Sequence, residues 1–181
     1  MASPYAWQFS RRSFATCRQG GSSEAEHAAL SNGLVLDPLR PRTLVVGDNA
    51  GIAPLLSLLT GKLRDAPDAG WKPLVLLGSD EPFPFRARPS TILVPGMPQG
   101  VIACVPVLEE WGVPSRLASQ TDFPGCYDGN VIDLAIAWLE SLDAATLAEV
   151  EMIACGSEPM LQAAADVAGR MPPLQWRGLV P

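Results

Sequence analysis

Between residues 43 and 156 the chain repeats one pattern, a short apolar run closed by Gly, Ser or Pro and then a stretch with helical spacing. The runs are TLVVG at 43–47, PLVLLG at 73–78, STILVPG at 90–96, PSRLAS at 114–119 and VEMIACG at 150–156. Short, continuous apolar runs suit strands that are covered on both faces of a parallel sheet. Helical segments are read at Ala53 to Arg64, Ile102 to Trp111, Val131 to Leu142 and Pro159 to Met171. Strand and helix in alternation predict an α/β fold, a doubly wound five-stranded parallel sheet with helices on both faces.

The third helix is the best defined. Asn130 stands as its N-cap, and Val131, Leu134, Ala135, Trp138, Leu139 and Leu142 form an apolar stripe at 3- and 4-residue spacing. Trp138 therefore belongs to the core. Pro54 and Pro159 are placed near helix starts, where the missing N–H costs little. In a Rossmann-like sheet of this kind, ligands collect outside the carboxyl ends of the strands at the switch point of strand order. Function is thus expected in Gly47 to Ile52, Gly78 to Asp80, Ser119 to Asp122 and Cys155 to Met160. EPFPFRARP at 81–89 replaces a crossover helix with an irregular connection. There Phe83 and Phe85 are read as cover for a sheet edge or face, with Arg86 and Arg88 as an alternative phosphate or partner contact.

Composition narrows the partners. With 181 residues, 48% hydrophobic and 18% charged, the chain is an ordinary globular domain. A net charge of −6 leaves no basic face for nucleic acid or an anionic membrane. Each apolar run is interrupted well short of the roughly 20 residues that a spanning helix needs. Cys17, Cys104, Cys126 and Cys155 form no CxxC pair, so neither a metal site nor an iron–sulfur cluster is expected. Reduced thiols in a cytoplasm are the default reading. His27, the single histidine, lies in a polar stretch within residues 1–33, which read as a flexible arm or part of an adjacent fold, with an organelle transit peptide as the lesser alternative, before the Rossmann-like domain at 34–181. SRRSFAT at 10–16 lacks the apolar segment that an export signal requires after its arginines.

GDNAGIAPLL at 47–56 ends a strand in a glycine-spaced loop and opens a helix, an arrangement whose backbone amides bind a pyrophosphate without lysine. Asp48 is an anion near the expected phosphates. IACGSEPML at 153–161 is the last carboxyl-end loop and should lie beside the first. Cys155 has no His or Lys near it in sequence to activate a thiolate, so it is read as a small polarisable wall and no catalytic residue is assigned.

Together, VVGDNAGIAPLLSLL and, about 105 residues later, IACGSEPML resemble the nicotinamide-binding half of the ferredoxin–NADP reductase family, whose loops read roughly GGGTGIAPL and ACGPxPML. VPGMPQGVIACVPVLEEWGVPSRLAS and FPGCYDGNVIDLA look most like the electron-transfer subunits of dihydroorotate dehydrogenase and their relatives. The resemblance covers about residues 40–171 and implies a domain that binds NAD(H) or NADP(H) and passes hydride to a flavin. It assigns Gly47, Ala50, Gly51, Ile52 and Pro54 to the pyrophosphate loop, and Cys155, Gly156 and Met160 to the nicotinamide edge; Asp48 and Asn49 in the first loop and Ser157 in the second join the expected cofactor-binding residues by position. Ser119 and Gln120 fall where the adenosine ribose would lie, and the lack of an arginine right after that strand favours NAD.

The departures are as informative. Asn49 replaces a glycine, Ala50 replaces a hydroxyl residue and Ser157 replaces the proline after Cys-Gly. Loss of the hydroxyl removes one hydrogen bond, worth about 0.5–1.5 kcal/mol. Some 40 residues precede the sheet where the family carries a flavin barrel, and LSNGLVLDPLRP at 30–41 resembles only its last strand and linker. The C-terminal iron–sulfur cysteines that the dihydroorotate-linked subunits carry are also missing. FAD is therefore expected only through a partner chain or as a diffusible cofactor. The alternative is a degenerate, non-catalytic relative that serves as an interaction or scaffold module.

Overall fold

The computed structural model describes residues 42–65 and 71–179. The expected arm at 1–33, His27, Cys17 and the segment at 30–41 lie outside them. The described chain runs β1 (Arg42–Gly47), α1 (Asn49–Asp65), β2 (Leu74–Gly78), β3 (Arg88–Pro89), β4 (Ala103–Cys104), α2 (Pro106–Glu110), β5 (Ser115–Ser119), β6 (Tyr127–Asp128), α3 (Val131–Glu140), α4 (Ala144–Glu149), β7 (Val150–Cys155), α5 (Glu158–Arg170) and β8 (Gln175–Leu179).

Six strands form one parallel sheet in the order β6-β5-β2-β1-β7-β8. The fold is α/β as expected, with six strands in place of five. β1 is central, and its register Gly47↔Leu77 and Gly47↔Cys155 brings three strand ends level. The chain goes one way from β1 through β2 to β5, then crosses back to β7. The switch point is therefore the β1/β7 junction.

Alternation along the strands divides the core in two. Leu44, Val46, Leu74, Leu76, Met152 and Ala154 face α3 and α5. On the other face Val45, Val75, Leu77 and Leu117 meet Ile52, Leu55 and Leu59 of α1 and Leu108 of α2. Each fully buried aliphatic side chain contributes about 1.5–3 kcal/mol relative to exposure. Burial on both sides explains why the inner strands have no polar alternation.

STILVPG at 90–96 is not a strand. Glu109 instead holds its start, accepting from the Ser90 hydroxyl at 2.9 Å, the Thr91 N–H at 2.6 Å and the Thr91 hydroxyl at 2.8 Å. The Arg116 guanidinium donates to the Ile92 carbonyl at 2.6 Å, and Gly96 turns at a φ of 80°. β5 already occupies the edge of β2, so the segment has no ladder to join. The expected helix at 102–111 shrinks to α2, because Ala103 and Cys104 pair with Pro89 and Arg88, and Pro106 starts the helix.

α1 begins at Asn49, four residues before the expected start, which puts Pro54 inside the helix. Pro54 there removes the amide that would bond to the Ala50 carbonyl. α3 follows expectation at its start, where the Asn130 side chain accepts from Ile132 N–H and Asp133 N–H, both at 2.9 Å. It ends at Glu140, two residues earlier than the stripe suggests. Trp138 is half-buried, and its indole N–H donates to the Pro95 carbonyl at 3.2 Å. β6, α4 and β8 are additions to the expected pattern.

The 81–89 connection behaves as a cover. Phe83 stacks on Phe85 with ring centroids 5.4 Å apart and tilts against Phe123 at 5.9 Å, and both residues pack on the α1/α2 core. Arg88 donates to the Pro106 carbonyl at 3.3 Å and lies 3.6 Å from Glu110. Among the described residues no helix is long and apolar enough to cross a membrane.

Candidate functional site

The parallel register carries β1 and β7 to the same level, so the residues that follow Gly47 and Cys155 are neighbours across the switch point. Close approach there depends on glycine. A Cβ on Gly51 would collide with the Cys155 carbonyl oxygen, so the first turn of α1 rests directly on the β7 backbone. The Asp48 carbonyl accepts from Gly51 N–H at 2.6 Å and Ile52 N–H at 3.1 Å, which fixes the turn into α1.

Asp48 also ties the two loops together. One carboxylate oxygen accepts from the Ser157 N–H at 3.0 Å, and the other takes a short hydrogen bond from the Ser157 hydroxyl. Ser157 is the N-cap residue of α5. The Asp48 carboxylate thus lies at the positive end of a 13-residue helix.

A crevice of about 580 Å³ opens beside this junction, between the carboxyl ends of β1, β2 and β5 and the facing sides of α3 and α5. That volume is within the range of small-molecule and cofactor sites. Of the residues expected at a site, Asp48, Asn49, Gln120, Ser157 and Met160 line it. Gly47, Gly51, Ile52, Cys155 and Gly156 are buried and shape it from beneath, while Ala50 and Pro54 lie on α1 away from its lining. Ser119 is buried and shares a 2.9 Å hydrogen bond with the Thr121 hydroxyl.

Cys155 is fully buried in the α1/α2 core. Burial, and then the charge of Asp48, push its thiol up to about 12. It stays a neutral thiol beneath the site, with no nucleophilic character.

Asp80 lines the crevice from the expected Gly78 to Asp80 loop, whereas Asn130, Asp133, Ile136, Asp166 and Arg170 line it without having been expected. Asp80 accepts from the Gln120 N–H at 3.1 Å and so joins the ends of β2 and β5. Pro159, Ala163, Asp166 and Arg170 recur at spacings of 4, 3 and 4, a helical stripe that the sequence displays once α5 is known to face α3. Among the described residues the lining holds four aspartates, Asp48, Asp80, Asp133 and Asp166, against the single cation Arg170. An acid-rich wall suits hydroxyl and amide groups and opposes bare phosphate. Among the described residues no group of His, Cys, Asp or Glu is arranged to hold a metal ion.

Comparison with protein-family models, with curated proteins and with solved structures finds no match.

Proposed function

We propose that the chain is the nicotinamide-dinucleotide domain of an electron-transfer protein of the flavoprotein-reductase kind, using NAD(H) or NADP(H) with a flavin supplied by a partner chain or from solution. The observation that carries this reading is the meeting of GDNAGI and ACGSEPM across one switch point, beside a crevice of about 580 Å³. The two loops that resemble the reductase family in sequence are the two that the fold brings together.

The residues present fit part of such a cofactor well. Asn49 opens α1 and lines the crevice, where the helix dipole favours a pyrophosphate. Gln120 and Asp80 offer polar partners for ribose hydroxyls, and a carboxylate in that position favours NAD over NADP. Met160 and Ala163 give an apolar wall for a flat ring. When bound, the nicotinamide supplies a hydride to the flavin, and the part of this chain is to hold and orient it.

Calorimetric titration with NADH tests the reading, with binding expected at micromolar to millimolar concentration. No heat at millimolar NADH, from protein with an intact melting transition, overturns it. A second reading, a non-catalytic module that keeps the fold as a scaffold, is favoured by the Asp48 carboxylate that already occupies the amino end of α5. An absent NADH response together with a colourless absorbance spectrum would select it.

A further inference from the structure

We propose that Asp48 and Ser157 form a latch that regulates entry of phosphate-bearing ligands into the crevice, with the Asp48 carboxylate acting as an internal competitor of the ligand anion. The inference rests on the reading of the crevice as a dinucleotide site and adds how that site is controlled.

Three features carry it. Both latch residues line the crevice, so the contact lies in the path of a ligand. The hydrogen bonding is two-pronged: the Ser157 N–H and hydroxyl donate to separate oxygens of one carboxylate, satisfying the first donors at the start of α5 with an anion of the chain itself. Pro159, two residues on, carries no amide, so α5 has fewer donors left to offer an incoming phosphate. Finally, the seat is shaped for the carboxylate. Gly156 has no side chain, and a Cβ there would collide with an Asp48 carboxylate oxygen and stand 2.6 Å from Met160 Cε.

A phosphate approaching this corner meets a fixed negative charge, and its own oxygens can reach the Ser157 donors only after Asp48 has let go. Opening costs two hydrogen bonds but parts the loops that bracket the switch point. A ligand without phosphate has no such competitor. The latch therefore discriminates by charge between a dinucleotide and a bare nucleoside.

Calorimetric titration of wild type and Asp48→Asn with ADP-ribose and with adenosine tests this. Asparagine keeps the shape and can still accept from the Ser157 N–H, but it carries no charge. ADP-ribose is expected to bind the variant at least tenfold more tightly, with adenosine unchanged. Equal ADP-ribose affinities overturn the latch while wild-type NADH binding leaves the dinucleotide reading standing. If neither protein binds ADP-ribose or NADH, both fall. Should Asp48→Asn fail to fold, Asp48→Ala takes its place: with no carboxylate to compete, ADP-ribose should again bind at least tenfold more tightly than in the wild type, and an equal affinity overturns the proposal.

Discussion

Gly51 lies with its Cα against the carbonyl oxygen of Cys155, so that no side chain fits between α1 and the end of β7. An alanine would gain up to about 1 kcal/mol of helix propensity. The obstacle is backbone in the central sheet, which cannot swing aside as a flexible side chain can. Overpacking of this kind costs about 1–3 kcal/mol, so Gly51→Ala should destabilise the fold by about 1–2 kcal/mol net. A urea midpoint equal to or above that of the wild type would show that α1 can lift from the sheet without loss.

Asn130 accepts two backbone amides at the start of α3, each at 2.9 Å. Asn130→Ala removes that cap and is expected to cost about 1 kcal/mol, whereas Asn130→Ser should restore most of it without setting a second carboxylate against Asp133. Thermal melts of the three proteins measure the difference. Equal melting temperatures for the wild type and the alanine variant would mean that tertiary packing alone holds the α3 amino end.

Burial alone would raise the Glu109 carboxyl, but the Thr91 N–H and the Thr91 and Ser90 hydroxyls outweigh it and hold the group at about 2, below its ordinary 4.5. A carboxyl lowered in the folded state contributes stability above its unfolded pKa, and loses that contribution as pH falls through the folded value. The 90–96 loop should therefore loosen between about pH 4.5 and 2. In Glu109→Gln this step should be absent and stability at pH 7 lower. Denaturant midpoints from pH 7 to pH 2 compare the two proteins, and parallel curves would contradict the assignment.

Cys155 gives the opposite alkaline behaviour. Its thiol stands at about 12 against an ordinary 9.0, through burial and then the charge of Asp48. The folded state holds this proton more tightly, so the contribution is complete below pH 9 and is lost as pH rises from there through 12. Burial raises Cys104 and Cys126 in the same direction. Cys155→Ala should lose less stability than the wild type between pH 8 and 10.5, as followed by urea titration at each pH.

The inner sheet was legible because its strands are buried on both faces, which writes continuous apolar runs such as LVLLG into the sequence. β8, QWRGL, has a neighbour on one side only among the described residues and carries Arg and Gly, so it leaves no such run. STILVPG has the composition of a strand, yet much of its backbone is held by side chains distant in sequence, Glu109, Arg116 and Trp138, that no local pattern reveals. At the site, the loops after β1 and β7 were visible through their glycines. The opposite wall, Asp133 on α3 with Asp166 and Arg170 on α5, becomes visible only once the two helices are known to face each other. Cys155 was expected at the crevice because it ends a strand, but the strand's alternation turns it into the core beneath.

The strand order also fixes when the crevice comes into being during synthesis. β1 pairs on one side with β2, close in sequence, and on the other with β7, where Arg42 meets Val150. A nascent chain released only as far as α3 has a central strand with one open edge and a β1 turn with nothing to grip. Ser157 and the facing side of α5 emerge after all the other walls have been made. Only the edge strand β8 follows, so the crevice is among the last features of the described sheet's carboxyl end to assemble, and a ligand held there would report a nearly finished domain rather than assist its early folding.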